Sequence, residues 1–287
     1  MSTLLLDGAT GTELGRRGAD ITLPLWSARA LLEAPDLLKA IHVDYLDAGA
    51  GAITTNTFRT HRRSLAKAGL GDRAAQLTTR AVEIANESRQ QRNPDALIVG
   101  SVAPLEDCYR PDLAPDEAAC RREHTEMIRA LLEAGVEFVG LETMNNLTEA
   151  GAATEAARRL AAGKWMVSFC TRSEGPPGVL LSGEPLADIL PSLGDAHAVG
   201  VNCVAAPAVE CQVTFLRDAL PPHVRIIAYA NIGYADSAGN WVTTDAVDPA
   251  AYARYASRWV AAGADIIGGC CGTTPDTIRA VKKAIGA

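Results

Sequence analysis

The sequence predicts an α/β protein built as a single (β/α)8 TIM barrel, and three observations predict it. Eight short, continuously apolar runs recur along the chain; amphipathic stretches with apolar positions at helical spacing lie between them; and several of those stretches end in Ala-Gly and pass directly into the next apolar run. Continuous rather than alternating apolar character marks strands buried on both faces of a parallel sheet, and a count of eight closes such a sheet into a barrel. A doubly wound open sheet is the runner-up architecture.

In chain order the expected strands are TLLLDG (3–8), GAITTN (51–56), ALIVGS (96–101), EFVGLET (137–143), WMVSFC (165–170), AVGVNC (198–203), VRIIAYAN (224–231) and ADIIGGC (264–270). The helix-to-strand junctions repeat weakly as DAGAGAITT, EAGVEFVG, AAGKWMVSF and AAGADIIGG, a glycine helix end followed by a buried strand. PDLLKAIHVDYLDAG and DPAAYARYASRWVAAG read as crossover helices, and RAAQLTTRAVEIANESRQQRN reads as one extended second helix rather than a domain boundary. No Pro/Ser/Gly linker interrupts the pattern, so one domain over residues 1–287 is expected.

Composition narrows the class. Hydrophobic residues make up 48% of the chain, enough for a sizeable core, yet no apolar run approaches the ~20 residues that span a bilayer. The start, MSTLLLDGATGTEL, has no basic segment ahead of its three leucines, so a cytoplasmic enzyme is expected rather than a secreted or membrane protein. The net charge of -7 comes without long blocks of one sign, which argues against nucleic acid as a partner. Seven cysteines in such a chain read as free thiols or metal ligands, not as a disulfide framework.

In a barrel of this kind the residues just past each strand converge on the active site. They are Asp7 with Gly8, Ala9 and Thr10; Thr55, Asn56 and Thr57; Glu142 and Thr143; Asn202 and Cys203; Asn231; and Cys270 with Cys271. Cys203 alone would pass as a core residue. Three cysteines at the ends of strands six and eight instead make a zinc centre with one exchangeable position. Neighbours on a regular strand point to opposite faces, so Cys270 and Cys271 can share one ion only where the chain leaves the ladder, a departure that Gly268, Gly269 and Gly272 permit. A pair of buried thiols or a vicinal disulfide is the plainer alternative for Cys270 and Cys271. Cys108, Cys120, Cys170 and Cys211 have contexts that mark them as structural.

DGATGTEL near the start, GVNC in the sixth unit and GGCCGTTPDTI in the eighth resemble the homocysteine S-methyltransferase family over essentially the whole chain. The resemblance implies a zinc-dependent enzyme in which Cys203, Cys270 and Cys271 bind Zn2+. It implies that Asp7 and Glu142 meet the ammonium of homocysteine, that the backbone around Gly8, Ala9 and Thr10 cradles its carboxylate, and that Asn231 is offered to the zinc when homocysteine is absent. The substrates so implied are small molecules: homocysteine, and a methyl donor such as S-methylmethionine or S-adenosylmethionine, with betaine behind them. No catalytic residue beyond the zinc centre is needed.

The third-strand loop GSVAPLEDCYRPDL departs from the glycine- and tyrosine-rich segment of S-methylmethionine enzymes, which leaves the donor open. An aromatic wall over a methyl-bearing cation is expected on physical grounds, with Trp26, Tyr109, Tyr229 and Tyr234 available for it. The competing readings are a methyl-acceptor module that needs a separate folate or corrinoid partner, and a zinc hydrolase.

Overall fold

A computed structural model describes residues 3–235 and 241–287. Eight parallel strands form one sheet: β1 (Leu4–Leu5), β2 (Ala52–Thr54), β3 (Leu97–Val102), β4 (Phe138–Met144), β5 (Trp165–Phe169), β6 (Ala198–Ala205), β7 (Arg225–Asn231) and, last in the chain, β10 (Ile266–Gly269). Neighbours follow the order β1-β10-β7-β6-β5-β4-β3-β2, and a parallel bridge from Leu6 to Ala52 joins the two ends. The expected (β/α)8 barrel is therefore observed, and each of its strands coincides with one of the eight apolar runs, with β3, β4 and β6 extending one or two residues past the run's end.

The helices alternate with these strands. α1 (Thr10–Arg16), α2 (Ala30–Glu33) and α3 (Pro35–Ala48) follow β1; α4 (Arg62–Ala66) and α5 (Ala74–Arg92) follow β2; α6 (Glu117–Glu133) follows β3 and α7 (Leu147–Ala161) follows β4. After β6 comes α8 (Ala206–Ala219), before β10 comes α9 (Pro249–Ala261), and α10 (Pro275–Ile285) ends the fold. Their starts are chemically marked: the Asp116 side chain accepts the Ala119 N–H at 2.8 Å, and Asn146 accepts that of Glu149 at 2.8 Å. Their ends are marked by the repeated Ala-Gly, where Gly49, Gly135, Gly163 and Gly263 adopt φ of 106°, 93°, 80° and 110°, a region that costs other residues steric energy.

Two cores explain why the strands are apolar at every position. Leu6, Val99, Met166, Ala198, Ile227 and Ile266 belong to a small cluster inside the barrel. Ile226 and Ala228, which flank Ile227, belong instead to the large cluster between strands and helices. The period of two survives, but both faces are buried. One element lies outside the eightfold pattern: a hairpin of β8 (Gly233–Ala235) and β9 (Trp241–Thr243), antiparallel, rising from the end of β7. Among the described residues no helix is long and apolar enough to cross a membrane.

His42 on α3 is fully buried, and neither ring nitrogen has a hydrogen-bond partner. Burial depresses its pKa to about 4, so it folds as the neutral ring, whereas the unfolded chain protonates it below its ordinary value. Between pH 6.5 and 4 the unfolded state then holds more protons, and stability falls as pH falls. Replacing His42 with Leu should remove an acid sensitivity on the order of 3 kcal/mol, read as the difference between urea unfolding free energies of the two proteins at pH 7 and pH 4.

Candidate metal centre and substrate cavity

The C-terminal ends of the strands open into a cavity of about 550 Å3. Cys203, Cys270 and Cys271 meet there, with one sulfur from each within 4.8 Å of the others and the Cys203 and Cys270 sulfurs 2.7 Å apart. Each cysteine arrives through an irregularity. β6 is bulged between Asn202 and Ala205, and Cys203 sits at φ 55°, an unusual place for a side-chain-bearing residue. β10 ends at Gly269, and Cys270 and Cys271 lie in the turn beyond it, which closes with the Thr273 N–H donating to the Cys270 carbonyl at 3.0 Å. The adjacent cysteines thus leave the ladder before they must share a site.

The glycines around them act differently from one another. Gly272 needs its freedom, with φ 84°. Gly268 and Gly269 are required by contact: a Cβ on Gly269 would lie 2.3 Å from Thr273 Oγ1, and one on Gly268 would lie 2.9 Å from the Leu6 Cβ and 3.0 Å from the Asp7 carbonyl.

Cys203 is held by a pair of polar residues buried to zero exposure. The Thr143 N–H donates to Asn202 Oδ1 at 2.7 Å, and Asn202 Nδ2 donates back to Thr143 Oγ1 at 2.8 Å. The same two groups reach the Cys203 sulfur, Asn202 Nδ2 at 3.5 Å and Thr143 Oγ1 at 3.7 Å. Thr143 is itself left-handed, at φ 62°, in a matching irregularity of β4 between Leu141 and Met144. Two such residues cost about 1–3 kcal/mol each, and the reciprocal hydrogen bonds offset that cost while fixing where the sulfur points.

Asn231 braces the centre from below. Its Nδ2 donates to the Cys203 carbonyl at 2.9 Å and its Oδ1 accepts the Cys271 N–H at 3.0 Å, so one carboxamide ties the two cysteine segments together. Its Oδ1 keeps one lone pair beyond the bond from the Cys271 amide.

The donor set fits a thiophilic cation. Hydrogen bonding to Cys270 and Cys271 holds the Cys203 thiol well above the ordinary range, while Cys271, stabilised first by its bond from Cys203, is held well below it. Three contacting thiols cannot all ionise in a buried site unless a cation neutralises them, and three soft sulfur donors with no histidine among them suit zinc.

The remaining expected residues line the same cavity. Asp7 is buried, and loss of solvent pushes its carboxyl well above the usual range despite hydrogen bonds from the Thr54 N–H at 2.8 Å and the Thr54 hydroxyl. Glu142 is pushed up to about 7, also by burial first, opposed by the Ser101 and Tyr229 hydroxyls and reinforced by the charge of Cys271. Among the described residues neither carboxylate forms an ion pair with a basic side chain. Of the Gly8–Thr10 segment, the Ala9 N–H is taken by Thr273 Oγ1 at 3.1 Å, whereas the Thr10 hydroxyl is buried without a partner.

The expected aromatic wall is present in altered membership. Trp26, Tyr109 and Tyr229 line the cavity and Tyr234 does not; Phe58 and Trp241 take part although nothing local in the sequence marks them. Trp26 and Phe58 pack edge to face with centroids 5.5 Å apart. Cys108, expected to be structural, also lines the cavity, with its thiol pushed up to about 12 by burial.

Comparison with known proteins agrees with this geometry. The family described as "Homocysteine S-methyltransferase" matches residues 4–285. An Escherichia coli (strain K12) protein named homocysteine S-methyltransferase is 34% identical, over 97% of this chain and 94% of its own length. The crystal structure of the homocysteine methyltransferase MmuM from Escherichia coli in its metallated form superposes with a TM-score of 0.85 at 32% identity, covering 99% of this chain and 96% of that one. The apo form of MmuM gives 0.75 at 29% identity over the same shares.

If the Asn202–Thr143 pair fixes Cys203, Asn202→Ala should weaken metal binding by about ten- to a hundred-fold, whereas Thr143→Ser, which keeps the hydroxyl, should stay near wild type. Competition with a chromogenic chelator measures this, and equal affinity in Asn202→Ala and wild type would refute the role.

Proposed function

The chain belongs to the homocysteine S-methyltransferase family, and from that premise we propose that it moves a methyl group from a small onium donor to the sulfur of L-homocysteine, giving methionine. S-methylmethionine and S-adenosylmethionine are the leading donors. The observation that carries the reading is the three-sulfur cluster on the floor of a cavity whose two buried carboxylates have no cationic partner. Cys203, Cys270 and Cys271 would hold zinc, whose charge favours the thiolate form of a substrate sulfur beside it.

The chain's own groups do the rest. Asp7 and Glu142 take the ammonium of homocysteine, and the Thr10 hydroxyl with the Gly8–Thr10 backbone takes its carboxylate, which fixes the direction of the substrate sulfur. The aromatic wall excludes water and attracts the donor's positive charge. In the transfer, the homocysteine sulfur contributes the electron pair of the new S–CH3 bond while the old bond's pair stays on the donor's heteroatom. The homocysteine thiol releases its proton to solvent on binding; in the transfer itself an anion and a cation become two neutral groups, so a cavity poor in water favours the step and no side chain has to accept a proton during it.

A site of three cysteine sulfurs binds a metal only while its thiols stay reduced, which supports a cytoplasmic location. The module reading is separated by assaying the purified chain with homocysteine and the donor panel: methionine formed without a protein partner supports the autonomous enzyme, and methionine formed only beside a corrinoid or folate protein rejects it.

Two substitutions test the roles. Cys203→Ala should reduce bound zinc from stoichiometric to a small fraction and abolish methionine formation, measured by elemental analysis and product chromatography on folded protein. Glu142→Gln should keep the metal and raise the KM for homocysteine by about ten-fold or more, since it deletes one charge-assisted contact to the ammonium.

A further inference from the structure

We propose that Arg59 anchors the carboxylate of the methyl donor, so that the donor site selects onium compounds that carry a carboxylate group; this rests on the methyl-transfer reading above. The charged side chains lining the cavity among the described residues are Asp7, Asp107, Glu142 and Arg59, which makes Arg59 the single cation facing it. The floor segment Gly8–Thr10 already accounts for the carboxylate of homocysteine. A second zwitterionic substrate would find its anion partner only in Arg59.

The loop between β2 and α4 is built to present this side chain. Its polar residues spend their side chains on holding the loop: Asn56 Nδ2 donates to the Ser27 carbonyl at 2.8 Å, Thr57 Oγ1 to the Ser101 carbonyl at 2.7 Å, and Thr60 Oγ1 to the Thr57 carbonyl at 3.2 Å. Phe58 and Arg59 are left to face the cavity, with the guanidinium 5.6 Å from the centroid of the Phe58 ring.

The arginines that follow Arg59 in the chain are paired. Arg62 meets Asp72 and Glu126, and Arg63 meets Glu106 and Glu123. Glu106 turns its carboxylate to Arg63 and Lys67 and offers Arg59 only its carbonyl oxygen, 3.3 Å from Nη1. The Arg59 Nε is buried with no partner. A half-buried guanidinium with one long bond to a neutral acceptor retains most of its five donors, and their fork matches a carboxylate. Its place beside Phe58 and Trp26 puts this anion site against the aromatic wall that would receive the onium charge.

The test uses the full-length, zinc-loaded chain with saturating homocysteine and two sulfonium donors: S-methylmethionine, and its decarboxylated analogue dimethyl(3-aminopropyl)sulfonium. Wild type should prefer the carboxylate donor by about ten- to a hundred-fold in kcat/KM. Arg59→Met should erase that preference by raising the KM for S-methylmethionine, with the KM for homocysteine and the zinc content unchanged. Arg59→Lys, which keeps the charge and loses the fork, should fall between them, and it stands as the second variant should the Met protein fail to fold. A preference that survives in Arg59→Met, or an Arg59→Lys protein indistinguishable from wild type, overturns the assignment and leaves the methyltransferase reading intact. A wild-type chain that makes methionine from neither sulfonium overturns the donor reading, and the role of Arg59 falls with it.

Discussion

A cluster of three thiols and two carboxylates, Asp7 and Glu142, face one cavity, and the excess of acidic groups over basic ones is the constraint on which the rest of the site depends. In a water-poor space these groups cannot all be charged unless cations enter. Burial raises Asp7 and Glu142, and the charge of Glu142 adds to the rise at Asp7. The protein supplies almost none of the missing positive charge itself. On the proposed reading, a metal held by the sulfurs and an ammonium beside the carboxylates would supply it.

Holding such a site needs rigidity at the strand ends, where a barrel is least regular. Thr143 and Cys203 both adopt left-handed conformations, and both lie in bulges. Neither would persist alone. Each is over-determined: the Asn202 carboxamide spans from β6 to the Thr143 amide and hydroxyl on β4, and the Asn231 carboxamide spans from the Cys203 carbonyl to the Cys271 amide. Four strand ends are thereby coupled by two asparagines, and a disturbance at one cysteine is felt at the others.

Much of this was legible in the sequence, for physical reasons. A buried parallel strand is apolar on both faces, so AVGVNC and VRIIAYAN could be recognised from composition, and the Ala-Gly junctions carry the left-handed helix ends that only glycine adopts cheaply. GGCCGT announced itself because adjacent cysteines are useful only off the ladder. The bulges at Thr143 and Cys203 were not legible, since ordinary side chains in those positions give no local sign of positive φ; the cause lies in a partner 59 residues away. Gly268 and Gly269 looked conformational and are steric, which only their distances to Leu6 and Thr273 reveal. Phe58 and Trp241 reach the cavity through loop paths that periodicity does not encode.

The division of the cavity also bears on turnover. If the proposed reaction holds, the acidic floor would hold its ligand through an ammonium that methyl transfer leaves untouched, whereas the wall would act on a positive charge that the reaction destroys. Once such a donor's onium centre became neutral, its attraction to the cavity-lining Trp26, Phe58 and Tyr229 would fall to ordinary apolar contact, and only its peripheral groups would still hold it. At the floor, the product sulfur has changed from an anionic donor to a neutral thioether, a weaker ligand for any cation held by Cys203, Cys270 and Cys271. Both products therefore lose the interaction that drew their reacting atoms together, while the contacts that fixed their orientation remain. In the proposed reaction the same charge cancellation that would favour the chemical step in a dry cavity would also weaken product binding.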